Sequence, residues 1–177
     1  MWPYKDASAG IGFSAVLLID MQEKFVGKLE RGKKEQLVRA QSAVIRHCAA
    51  VDTPLIVLEY EKYGPTIEEL QAVIRNVPRV TVITKSKDNG FLGTDLHHTL
   101  DALGTQSFLI TGINASCCVL ETAHNAITKG YRILTAEDLI ADSVSLNNYY
   151  SGWHPENWYR HNGVMLPNSA PFIAATR

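Results

Sequence analysis

Three residue types that can share acyl-transfer chemistry stand at the ends of apolar runs. Asp20 closes Ala15-Val-Leu-Leu-Ile19, Lys85 follows Val80-Thr-Val-Ile83, and the pair Cys117-Cys118 follows Ser107-Phe-Leu-Ile-Thr111. A carboxylate so placed can act as a general base, a thiol as a nucleophile, and an ammonium can keep the carboxylate ionised or stabilise developing negative charge. Together they point to acyl transfer through a thioester. Each residue alone has a plainer reading: Asp20 as a turn former, Lys85 as a solvated lysine like Lys87, either cysteine as inert core. Their joint placement at three strand ends favours chemistry.

The cysteines fall in the first turn of a helix predicted over 116–129, where unpaired N–H groups and the helix dipole favour a thiolate. The same N–H groups can bind an oxyanion. The apolar stripe of that helix, Val119, Ala123 and Ala126 or Ile127, leaves open whether Cys117 or Cys118 faces a pocket. Adjacent thiols also admit a redox pair, although bridging neighbours closes a strained ring.

Continuous apolar runs are how strands buried on both faces read. The pattern predicts strands at 15–19, 54–58, 80–83, 107–111 and 131–135, with helices over 34–51, 66–75, 94–103 and 116–129. The second of these helices opens on Thr66 and Glu69, the spacing of a capping box, and the last closes at Gly130, which suits a left-handed position. Alternating β and α segments imply right-handed crossovers and a three-layer α/β/α architecture, Rossmann-like, around a mostly parallel sheet. Its ligand site belongs beyond the carboxyl ends of the strands. With no internal repeat or linker, residues 1–177 read as a single domain. Residues 143–177 change character: Trp153, His154, Trp158, Tyr159 and His161 follow no clear period, and such rings are common at subunit interfaces.

Seventeen Lys and Arg against 18 Asp and Glu give a net charge of −1, so no global field recruits nucleic acid or an anionic membrane. A 46% apolar and 20% charged composition is that of an ordinary globular domain. Three cysteines form neither a disulfide framework nor a zinc motif, and the first residues lack a signal-peptide core, so the expected setting is the cytoplasm. No phosphate-cradling glycine motif follows a strand, which argues against nucleotide binding.

The segments Leu17-Leu-Ile-Asp-Met-Gln-Glu-Lys-Phe25, Lys85-Ser-Lys-Asp-Asn-Gly-Phe-Leu-Gly-Thr-Asp-Leu96 and Gly112-Ile-Asn-Ala-Ser-Cys-Cys-Val-Leu-Glu-Thr-Ala123 resemble, in order, the three signatures of the isochorismatase-like cysteine hydrolases. The resemblance implies that Asp20 is the base, that Lys85, six residues before Phe91, is the lysine, and that Cys118, six after Gly112, is the nucleophile. It further implies a cis peptide at Ile113–Asn114 and an oxyanion site made by the N–H groups of Asn114 and Cys118. Phe25, Tyr60, Asn89 and Phe91 are the implied pocket walls.

Nicotinamidase members hold a metal with an Asp and two His, but the matching stretch, Leu58 to Thr66, has no histidine. Asp95, His97 and His98 read as a solvated helix face, since adjacent histidines diverge by about 100°. No metal and no cofactor are expected. Isochorismatases proper lack the cysteine, so the resemblance implies hydrolysis of an amide or related C–N or acyl bond in a small molecule. The stretch 59–70 is similar to a branch whose natural substrates are unclear. Family members associate as homo-oligomers. The competing reading is a non-catalytic binding or scaffold protein of the same fold.

Overall fold

A computed structural model describes residues 10–143 and 154–174 of the chain. The apolar runs form β1 (Ala15–Ile19), β2 (Leu55–Tyr60), β3 (Val80–Lys85), β4 (Ser107–Ile113) and β5 (Arg132–Ala136); β6 (Ile140–Ala141) and β7 (Val164–Leu166) complete a seven-stranded sheet. Its order is β3-β2-β1-β4-β5-β7, with β6 beside the end of β4, and each pairing is parallel. The sheet is therefore doubly wound. From β1 the chain builds outward through β2 to β3, then returns to the other side of β1 as β4. The crevice between the carboxyl ends of β1 and β4 is the switch point where such sheets bind ligands.

β1 lies between β2 and β4, with Leu17 level with Ile56 and Ile110, and all five of its residues are buried. Val16 and Leu18 join one core with Leu37, Val44 and Ile45 of α2 (Arg31–Val51), Leu70 of α3 (Glu68–Ile74) and Phe172 of α7 (Ala170–Ala174). Ala15, Leu17 and Ile19 join the other with Leu96 and Leu100 of α4 (Leu96–Ala102), Val119 and Ala123 of α5 (Cys118–Thr128) and Tyr159 of α6 (Pro155–Asn162). Two cores on opposite faces of one sheet make the three layers the alternation predicts. The short α1 (Glu23–Val26) follows β1 directly. By contrast, β3 is an edge strand, paired to β2 alone among the described residues, and its Val82 is 57% exposed.

Two expectations change. The capping box at Thr66 and Glu69 does not form: the N–H and hydroxyl of Thr66 both donate to Glu59 Oε1, at 2.6 and 2.8 Å, and α3 starts at Glu68 without a side-chain cap. A carboxylate arriving from the end of β2 takes the groups that would have served the helix. The described part of the aromatic segment also has regular structure, since α6, β7 and α7 pack on this same domain. Tyr159 is fully buried with its hydroxyl donating to Ala115 O at 2.7 Å, and Phe172 is buried with its ring edge-on to Phe13. Trp153 lies outside the described residues. No helix among the described residues is long and apolar enough to cross a membrane.

Candidate active site

Asp20 follows β1 with a left-handed backbone, φ 54°, its N–H donating to Leu58 O at 2.9 Å. That bend turns a fully buried carboxylate toward the crevice. Lys85, the last residue of β3, reaches across the end of β2 to put Nζ 2.8 Å from Asp20 Oδ2, both side chains without solvent exposure. The ammonium also donates to Lys87 O at 3.1 Å and stands 4.2 Å from the centre of the Tyr60 ring. Burial pushes the Asp20 carboxyl above its usual value, while the Lys85 charge and the facing Cys118 thiol pull it back. Two charges withdrawn from water are tolerable here because each is the other's partner.

The third element is the β4–α5 loop, pinned residue by residue. Ile113–Asn114 is a cis peptide. Asn114 O accepts from the N–H groups of Cys117 and Val119, each at 3.1 Å, while Asn114 Oδ1 accepts from Ser143 N at 2.9 Å. Ser116 donates from both N and Oγ to Asp142, at 2.9 and 2.6 Å, and Ala115 N donates to Ala141 O at 2.9 Å. Among the described residues, the N–H groups of Asn114 and Cys118 donate to no backbone carbonyl. Cys118 begins α5, is 4% exposed and faces Asp20; Cys117 is half-buried.

At Cys118 the surroundings oppose the helix terminus. Its thiol is pushed up by contact with the Cys117 sulfur, by burial and by the Asp20 charge, with only Lys85 opposing. The first two causes depend on packing that spacing does not encode. Cys117 moves the other way, lowered by its contact with the Cys118 sulfur.

Asp20, Lys85 and Cys118 thus converge, whereas the expected pocket walls divide. Tyr60 flanks the ammonium and donates its hydroxyl to Ser86 O at 3.0 Å; Phe25 packs on it at 6.2 Å between ring centres, and Tyr63 joins both at 5.4 and 5.7 Å. Asn89 serves its own turn, Oδ1 accepting from Phe91 N at 2.9 Å. Phe91 is buried in the same core as Cys118, its ring stacked on Tyr131 at 6.1 Å.

Two functional residues escaped the sequence reading. The Asp88 carboxylate accepts from both thiols, Oδ1 from Cys118 and Oδ2 from Cys117, each at 3.4 Å. Thr122, one turn into α5, donates to Cys118 O at 2.7 Å and accepts from Gly90 N at 2.9 Å, tying the β3–α4 loop to the nucleophile helix. Its spacing of four from Cys118 was a usable signal, while Asp88 had none. One ligand atom each from Asp88, Cys117 and Cys118 lies within 4.8 Å of the others. That trio could hold a metal ion, one donor short of a closed tetrahedral zinc site.

A doubly wound parallel sheet with a buried carboxylate–ammonium pair against a helix-terminal thiol at its switch point defines the α/β class of the protein and its candidate site. The Isochorismatase domain model matches residues 14–151, well over half of the chain, and the protein belongs to that family, whose characterised members are hydrolases. The uncharacterised isochorismatase family protein YaaI of Bacillus subtilis is 28% identical over 160 residues, covering 81% of this chain and 88% of that protein. Among solved structures, N-carbamoylsarcosine amidase from Thermoplasma acidophilum superposes with a TM-score of 0.72 at 23% identity, over 88% of this chain and 96% of that one. The YcaC product of Escherichia coli, an octameric hydrolase of unknown specificity, superposes at 0.72 and 20% identity, over 98% and 83%. At such identities the structural likeness establishes the fold.

Proposed function

We propose that this protein is a cysteine hydrolase that cleaves an amide or related C–N or acyl bond of a small molecule through a thioester. Asp20 takes the Cys118 proton as Sγ attacks the carbonyl carbon. The oxyanion is held by the N–H groups of Asn114 and Cys118, and Lys85 keeps Asp20 ionised. The C–N bond then breaks and the amine leaves with the proton that Asp20 returns. In the second half Asp20 deprotonates a water, the hydroxide attacks the thioester, and the acid departs as Cys118 regains its proton. A thiol pushed up by burial suits this cycle, because Asp20 takes its proton as Sγ attacks.

The observation that supports the reading most is the fully buried ion pair of Asp20 and Lys85, 2.8 Å apart and facing Cys118. The hydrolase and amidase names among its similars fit the same chemistry. The steps require no cofactor. A homo-oligomer belongs to the proposal, as the YcaC product is octameric. A reducing, cytoplasmic setting suits three free cysteines.

The test is iodoacetamide alkylation against pH, with the labelled cysteine located by mass spectrometry, for wild type, Asp20→Asn and Lys85→Ala. Rapid labelling of Cys118 that either substitution perturbs supports an assembled nucleophile, and a screen of small amides for Cys118-dependent release of ammonia follows. A Cys118 that labels like a free thiol, with a pKa near 8.5, and is indifferent to both substitutions returns the protein to the scaffold reading.

A further inference from the structure

The charges of the crevice do not cancel at its mouth. Asp20 is matched by Lys85 inside, 2.8 Å away. Asp88 is exposed, belongs to no ion pair among the described residues, and points its two carboxylate oxygens at the two sulfurs. Its backbone is held in that position. The carbonyl of Asp88 lies 3.4 Å from the Thr122 hydroxyl, which also accepts from Gly90 N. Gly90 is required for this approach, since a Cβ there would stand 2.7 Å from Leu58 Cδ1 and 3.1 Å from Thr122 Oγ1.

We infer that Asp88 makes the mouth of the site a subsite for a cationic or N–H-donating group beside the scissile carbonyl, and that it turns away substrates with a carboxylate there. The inference rests on Cys118 being the nucleophile. A carbonyl carbon approached by Sγ sits roughly 3–3.5 Å from it, and its substituents lie one bond further out. With Asp88 Oδ1 3.4 Å from the same sulfur, those substituents fall within hydrogen-bond or close Coulomb range of the carboxylate. An amide or amidine N–H, or an ammonium on the leaving group, gains a partner. An anion meets a fixed like charge in a partly desolvated cleft, and such juxtapositions dominate selectivity.

Asp20, Asp88 and Glu121 all act on the two thiols as negative charges, and the opposing Lys85 is matched by Asp20. Glu121, on the same helix, raises the cost of a thiolate at Cys117, so its field is also negative there. Tyr60 presents an aromatic ring, and its phenol is pushed up by burial and then by the Asp88 charge. With Phe25 and Tyr63 against it, Tyr60 forms a wall of ring faces and edges, a surface that tolerates cations. Lys24 stands 5.5 Å from the Tyr63 ring centre, outside the thiol cluster, and Lys85, 4.2 Å from the Tyr60 ring centre, is matched by Asp20.

The test needs no known substrate. In the full-length chain with Cys117→Ser, the rate of modification of Cys118 is measured with three methanethiosulfonates, one trimethylammonium-bearing, one sulfonate-bearing and one neutral, and again with Asp88→Asn or Asp88→Glu added. The expected result at low salt is a cation-to-anion rate ratio about tenfold above that of free cysteine. It should fall to the free-cysteine ratio with Asp88→Asn, persist with Asp88→Glu, and shrink as salt is added. A change in thiol pKa moves all three reagents together and leaves the ratio alone. Rapid reaction with the neutral reagent but a ratio that Asp88→Asn does not change overturns the subsite while sparing the nucleophile. A Cys118 inert to all three reagents overturns both.

Discussion

At the scale of residues, the site depends on one compensated burial. Removing the ammonium with Lys85→Met strands the Asp20 carboxylate in a fully buried position, which costs about 3–5 kcal/mol. The double variant Asp20→Asn with Lys85→Met replaces the pair by groups that need no counter-charge and should recover most of that stability while staying unreactive at Cys118. Urea unfolding of the three proteins reads the difference. A second residue prediction concerns Cys48, buried on α2 and pushed up to about 12 by desolvation from an ordinary 9.0. Because its folded pKa is the higher one, its contribution to stability is complete below pH 9 and disappears as pH rises toward 12. The alkaline fall in melting temperature should be shallower for Cys48→Ala by up to one proton. The gathering of Asp20, Lys85 and the Cys117–Cys118 pair was legible because apolar runs announce strand ends and a parallel sheet brings those ends together, while the choice of Cys118 within the pair came from the resemblance. The position of Asp88 was not, because a loop's winding decides which of its side chains look inward, and no periodicity encodes it.

At the scale of elements, β1 and β4 must approach closely for the switch point to exist. Gly112 permits this: its φ is 137°, and a Cβ there would stand 2.1 Å from Ile19 O. Gly112→Ala forces the two strands apart at the level of Asp20 and the cis peptide. We expect a loss of about 3 kcal/mol or more by denaturant titration, together with loss of rapid Cys118 alkylation. The β4–α5 loop is also braced from α6, where the Tyr159 hydroxyl satisfies Ala115 O. Tyr159→Phe leaves that carbonyl unpaired at a cost of about 1–3 kcal/mol, measurable as a lower melting temperature. The five main strands and four main helices could be read from apolar runs and three-to-four spacing. α6, β6 and β7 could not, since a strand of two or three residues such as Ile140–Ala141 or Val164–Leu166 is too short to display a period. Tyr159 looked like an interface ring because burial by one's own sheet and burial by a partner select the same side chain.

At the scale of the whole molecule, the reactive groups are contributed by strands of very different security. β1 and β4 lie inside the sheet, flanked on both sides, and hold Asp20 and the thiol loop. Lys85 ends β3, whose outer edge has no neighbouring strand among the described residues and whose burial alternates with exposure. Local openings begin where packing is thinnest. The amide hydrogens of β3 should therefore exchange with deuterated solvent well before those of β1, and on warming the rapid alkylation of Cys118 should fade several degrees below the global melt. Coincident loss of reactivity and of fold would refute this. If it holds, working lifetime is set by the fraying of one peripheral strand, and whatever clasps that strand would act as a preservative for catalysis without touching the crevice.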